Sequence, residues 1–93
     1  MDLTKQPPRR PTNLSIAGIV GLARMTDKAR AYNNETIGQY LYGEDSALDR
    51  RILSFLGLTA ETFAQATDDG QYTDNSWGIK DDTELGQWVA ERS

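Results

Sequence analysis

A small all-α domain, a bundle of about four helices led by an extended Pro/Arg-rich N-terminal arm, is the fold that three features predict. Apolar residues recur at helical spacing, as Leu48, Ile52, Phe55 and Leu56 do at i, i+4, i+7 and i+8. Capping residues punctuate the ends of such stretches. All three prolines (Pro7, Pro8 and Pro11) stand near the start, where they forbid regular helix and favour polyproline or extended backbone. With 93 residues the chain is expected to form one domain with a single modest core. The expected division is an arm over residues 1–14 and a helical domain over 15–93.

The arm contains "PPRRP", which has the P-x-x-P spacing of ligands for Pro-reading domains. The pattern is short and unspecific, so an arm lying along the domain is the preferred reading. Ser15 is placed as the N-cap of a first helix over 16–33. Ile16, Ile19, Val20 and Ala23 form one stripe of it, and Leu22, Met25, Ala29 and Tyr32 a second, displaced around the axis. Such a helix is central, with neighbours on several sides. Gly18 and Gly21 lower its propensity and are read as sites of close approach by another backbone. A G-x-x-G nucleotide clamp has no flanking strands to support it.

Asn33 and Asn34 end that helix, and Tyr40 and Tyr42 anchor the loop that follows. Ser46 and Asp49 fit a capping box for a second helix over 46–56, and Gly57 suits a left-handed C′ position. Thr59 opens a third helix to about 67, with Leu58 and Phe63 at the positions of a hydrophobic staple. This hairpin resembles DNA-binding ones only in outline, because "AETFAQAT" carries no base to meet phosphate. Residues 68–80 are read as a solvated loop pinned by Tyr72, Trp77 and Ile79. The spacing of Asp68, Asp69, Asp74 and Asn75 does not fit a calcium loop. Asp81 with Glu84 caps a fourth helix over 82–92, whose buried stripe is Leu85, Trp88 and Val89. The expected core is Ile19, Leu22, Met25, Leu48, Ile52, Phe55, Leu56, Phe63, Leu85 and Trp88.

Composition narrows the chemistry. There is no Cys and no His, so no disulfide, no thiolate zinc site and none of the familiar histidine-based catalysts is available. No cofactor is expected, and the balance argues against an enzyme. Residues 1–51 carry eight bases against six acids, and residues 52–93 carry two bases against eight acids. The basic front half attracts an anion, while the acidic remainder disfavours a phosphate backbone, so nucleic acid is not an expected partner. No run reaches the length of a membrane span. The opening residues lack a signal-peptide order, and the cytoplasm is the expected compartment.

The stretch "LARMTDKARAYNN" concentrates the charge, with Arg24, Asp27, Lys28 and Arg30 on one helix. Asp27 stands three residues from each arginine and is the expected hub, paired with either. Lys28 is expected on the outer edge. The leading account is a structural network joining the first helix to the Asp49–Arg50 end of the second. The sharper one is a small-anion or acidic-partner site built from Arg24, Lys28 and neighbouring tyrosines.

The strings "DLTKQPPRRP", "GIVGLARMTDKARA" and "LDRRILSFLGL", followed by Phe63 and an acidic-then-Trp helix, resemble a family of small bacterial proteins known only as a domain of unknown function. The resemblance is specific from Asp2 to Gly57 and looser afterwards. It implies a bacterial, cytoplasmic protein and marks the Arg24-to-Arg30 string as the family hallmark, without implying any activity. Two classes of function follow. The first is an interaction module or accessory subunit presenting the charged helix face and the Pro-Arg arm to a protein partner. The second is a small-anion site or minor enzyme in which Arg24, Lys28 and Arg30 hold the anion while Tyr40 or Tyr42 and Asp49 do polar work.

Overall fold

The computed structural model describes residues 1–71, 73 and 78–92. The predicted anchors Tyr72 and Trp77, and the acidic loop positions Asp74 and Asn75, lie outside the described residues. Four helices are present: α1 (Leu22–Asn33), α2 (Ala47–Leu56), α3 (Ala60–Ala66) and α4 (Asp82–Ala90). A 3-10 turn over Gly43–Asp45 precedes α2, and no strand occurs among the described residues. Helix α1 is central and packs on both α2 and α3.

α1 starts at Leu22 rather than Ile16, and its N-cap is Gly21 rather than Ser15. Ala17, Gly18 and Gly21 have φ of 55°, 66° and 82°, so residues 14–21 form successive turns that no α-helix can contain. The N–H of Gly21 donates to the carbonyl of Pro11 at 2.8 Å, which folds the arm back against the helix start. A Cβ at Gly21 would stand 2.7 Å from Leu48 Cδ2, so both conformation and space demand glycine. The close approach expected at this residue therefore comes from α2 side chains, not from a backbone. Ser15 instead accepts a hydrogen bond from Arg9 Nη1 at 3.2 Å.

At its other end α1 closes on Glu35, whose φ is 58°, with the N–H of Thr36 donating to Ala31 O at 2.8 Å. This is the six-to-one bond of a Schellman turn, formed here without glycine. Thr36 O then accepts the N–H of Leu3 at 2.8 Å, and its hydroxyl donates to Met1 O. The first residues of the chain are thus moored to the carboxyl end of α1.

The remaining caps follow their local signals. Ser46 Oγ accepts from Asp49 N, although the Asp49 carboxylate points elsewhere and leaves the capping box half formed. Gly57 is left-handed at φ 68°, and Leu58 N–H donates to Leu53 O at 3.0 Å. Thr59 caps α3 through Thr62 N at 3.1 Å. Asp81 caps α4 through Thr83 N at 2.8 Å and Glu84 N at 3.0 Å.

The core gathers Ile16, Leu22, Ala23, Met25 and Ala29 with Ile52, Leu53, Leu56, Phe63, Leu85 and Val89. Ile19, Leu48 and Trp88, expected inside, are only partly buried. Phe55 is the clear departure, at 65% exposure. The buried face of α2 is Asp49, Ile52, Leu53 and Leu56, which places Leu53 inward and turns Phe55 out. Tyr32 and Val20 are also exposed rather than on a buried stripe. Trp88 lies under the Arg92 guanidinium, 3.8 Å from its ring centre.

Chemical denaturation checks this arrangement. Leu56→Ala should cost about 2–5 kcal/mol by leaving a cavity, whereas Phe55→Ala should stay within about 0.5 kcal/mol. Gly57→Ala should cost about 1–2 kcal/mol for left-handed strain in open space. Gly21→Ala should cost about 1–3 kcal/mol more than that, because Leu48 must also move.

Candidate functional site

Asp27 is the hub of the charged helix, but its partner is Arg9 from the arm rather than Arg24 or Arg30. Its carboxylate is 2% exposed. It accepts the Arg9 backbone N–H at 2.8 Å, Nε at 3.1 Å and Nη2 at 3.1 Å. The remaining fork of Arg9, Nη1, reaches Asp82 Oδ2 on α4 at 2.7 Å. Burial opposes the Arg9 charge, and the hydrogen bonds it donates to Asp27 and Asp82, with their charges, more than offset it, so its pKa is raised. One guanidinium thereby joins the arm, α1 and α4.

Arg30 works on carbonyls. Its Nε donates to Thr67 O at 3.2 Å and its Nη2 to Ile79 O at 2.8 Å, tying α1 to the segments that leave α3 and enter α4. Burial lowers its pKa, and the nearby charges of Asp82 and Asp27 act the other way. Arg9, Asp27, Arg30 and Asp82 together line an open hollow of about 640 Å³ between the arm and α4. Two cations face two carboxylates there, so the four are mutually neutral.

Lys28 is not on an outer edge. It is 5% exposed, and its Nζ lies 2.9 Å from the Asp49 carboxylate, itself 1% exposed. Asp49 Oδ2 also accepts the N–H of Gly43 at 3.0 Å, so the pair clamps α1, α2 and the 3-10 turn together. Arg50, expected in the same network, is instead exposed on the outer face of α2. It shares a shallow hollow with Ala47, Arg51, Ser54 and Phe55.

The tyrosines divide. Tyr42 packs on Tyr32 with ring centres 5.5 Å apart and donates its hydroxyl to Ala60 O at 2.6 Å. Burial, and then the charge of Asp49, push its phenol pKa well up. It anchors the loop and offers no labile proton. Tyr40 lies under the Arg24 guanidinium, 5.5 Å from charge to ring centre. Arg24 is half-buried, approaches the Arg9 carbonyl at 3.5 Å, and has no carboxylate partner among the described residues. Together with Lys28, Gln39, Tyr40, Leu41, Ser46 and Leu48 it lines a hollow of about 290 Å³.

The eight candidate residues therefore fall into three groups. Asp27, Lys28, Arg30, Asp49 and Tyr42 are engaged by other parts of the fold. Arg24 and Tyr40 form an open hollow beside them, and Arg50 stands apart on α2. Sequence reasoning missed Arg9 and Asp82. The available signal was Asp27 itself, because a carboxylate on a buried helix needs a base, and the arm supplies two adjacent arginines.

Two measurements test this partition. Lys28→Met should cost about 3–5 kcal/mol by stranding the Asp49 charge, and adding Asp49→Leu should recover only part, since Gly43 N–H then loses its acceptor. Asp27→Asn should fall in the same range, because Arg9 would lose its counter-charge. The second measurement is alkaline stability. Tyr42 ionises near pH 10 when unfolded and far less readily when folded. Its contribution is thus complete below about pH 10 and declines as pH rises beyond it. Tyr42→Phe should flatten that decline in denaturation curves while costing about 0.5–1.5 kcal/mol at neutral pH for the lost hydrogen bond.

Among the described residues no helix is long and apolar enough to cross a membrane. A search of curated proteins finds no match to the chain. The family model of a domain of unknown function, DUF5069, matches residues 5–93. That span holds Arg9, Asp27, Arg30, Lys28, Asp49 and all four helices, and the chain belongs to this family.

Proposed function

We propose that this domain is a protein-interaction module, an accessory subunit that receives an acidic side chain of its partner at Arg24. The observation that carries the reading is the state of that guanidinium. Lys28 is held by the Asp49 carboxylate and Arg30 by two backbone carbonyls, whereas Arg24 is half-buried over Tyr40, makes a single long hydrogen bond to the Arg9 carbonyl at 3.5 Å, and has no carboxylate partner among the described residues. Polar groups of Gln39 and Ser46 and the apolar side chains of Leu41 and Leu48 line the same hollow. An acidic residue followed by an apolar one matches this lining. Lys28 is already neutralised by Asp49, so the hollow offers one positive charge for one carboxylate.

Size favours a side chain over a free metabolite. About 290 Å³ lies at the lower edge of ligand pockets, which run from about 300 to 1,000 Å³. The small-anion alternative draws on the same Arg24 and on the hydroxyl of Ser46. The arm is held on the domain through Arg9, Leu3 and Pro11, so in this reading the charged helix face, not the arm, meets the partner. In this reading the module works in the bacterial cytoplasm, a setting that suits a cysteine-free chain.

Titration of labelled protein with a capped Glu-Leu dipeptide, followed at the Arg24 Nε–H resonance, tests the proposal. A saturable shift is expected, at least about tenfold weaker in Arg24→Gln, since a hydrogen bond to a charged group contributes about 1.5–3 kcal/mol. The variant should fold normally, its lost Tyr40 contact being worth about 0.5–1 kcal/mol. No shift, or an equal one in Arg24→Gln, refutes the reading. Inorganic phosphate binding more tightly than the dipeptide would replace it with the small-anion alternative.

A further inference from the structure

The surface beyond Arg24 has an order of its own. Leu41 and Val20 are each 57% exposed, and Phe55 more so. Leu48 joins them. It lines the Arg24 hollow beside Leu41, its side chain touches the backbone at Gly21 next to Val20, and it precedes Phe55 by two helical turns on α2. Leu41 and Leu48 in one hollow, and Phe55 two turns further along the same face of α2, thus form an apolar strip interrupted by Arg51. Arginines flank it at both ends, Arg24 near Leu48 and Arg50 with Arg51 near Phe55. None of these three has a carboxylate partner among the described residues, in a chain whose net charge is −4.

We infer that this strip docks an acidic amphipathic helix of a partner protein, which seats one apolar side chain at Leu48 and another at Phe55 while its carboxylates meet Arg24 and Arg51. The inference rests on the reading of Arg24 given above and extends it to the partner's form. Charge complementarity selects an acidic occupant. The spacing selects a helix: seven residues of α2 separate Leu48 from Phe55, about 10.5 Å, which an antiparallel or parallel helix matches with apolar residues at i and i+7. Strand addition has no edge to use, since no strand occurs among the described residues.

The probe is a capped 14-residue peptide of Ala, Glu and Leu, with two leucines seven apart and flanking glutamates, measured by calorimetry against the full chain. Its affinity should exceed that of the capped Glu-Leu dipeptide at least about tenfold. Phe55→Ala should remove that gain and leave dipeptide binding unchanged, and Arg51→Gln should weaken the long peptide alone. A lysine-for-glutamate version should not bind. Thermal melts of both variants should match the parent, because both side chains are exposed. A long peptide no tighter than the dipeptide, or a gain that survives Phe55→Ala, overturns this inference and leaves the Arg24 reading standing. Failure of both ligands sinks the two together. Binding of the lysine peptide with equal strength, or of phosphatidylserine vesicles in place of any acidic peptide, also overturns it.

Discussion

Helix α1 buries two adjacent opposite charges, Asp27 and Lys28, in the middle of a small domain, and most of the architecture answers to that constraint. Neither charge can stay unpaired there, since stripping an ion of water costs several kcal/mol unless a counter-charge and hydrogen bonds replace it. The two residues meet different partners. Asp27 draws in the arm through Arg9 and, through the same guanidinium, the start of α4. Lys28 draws in α2 through Asp49, which in turn orders the turn at Gly43. Two neighbouring residues thus position four other parts of the chain.

The consequence for α2 is direct. Its sequence contains two interleaved faces, Leu48–Ile52–Phe55–Leu56 and Asp49–Ile52–Leu53–Leu56. Apolar burial alone favours the first, which hides a phenylalanine. The second is adopted because Asp49 must face Lys28, and Leu53 then takes the inward place. Phe55 is left in solvent as the result of an electrostatic requirement on the opposite edge. Tight packing elsewhere reinforces the choice, for Leu48 is pressed against the backbone at Gly21. Among the described residues Asn34 Oδ1, a buried polar atom, has no hydrogen-bond partner, while its Nδ2 donates to Asp69 at 2.9 Å.

What could be read from the sequence was what is local. The caps at Ser46, Thr59 and Asp81 and the left-handed Gly57 depend on residues within one turn, and their chemistry is spelled out in order. The start of α1 was misread because Gly18 and Gly21 look like tolerable costs inside a helix. Gly21 is fixed at positive φ by Pro11 and Leu48, which lie elsewhere in the chain, whereas Gly18 is left-handed in open space. Arg9 was missed for the same reason. It bonds across 18 residues to Asp27 and across 73 to Asp82, and no periodicity encodes such separations. Asp27 was legible as a hub because its need for a base is a property of the residue itself.

Position along α1 and face around it together decide which hallmark charges stay available. A central helix with neighbours on several sides has no solvent face in its middle, and residues 25–29 are all buried. Water returns on one side of its ends, at Arg24 in the first turn and Tyr32 in the last, while Leu22, Ala23 and Ala31 stay fully buried there. Arg24 thus carries the same charge as Lys28 four residues on, yet it lies where the helix emerges beside Tyr40 and no acidic side chain of the described fold reaches it. A half-buried guanidinium met only by one carbonyl at 3.5 Å and a ring face is a weakly compensated arrangement for a domain considered alone. It becomes favourable when a second molecule brings the carboxylate, and this asymmetry between Arg24 and its buried neighbours is the physical reason to look for a partner there.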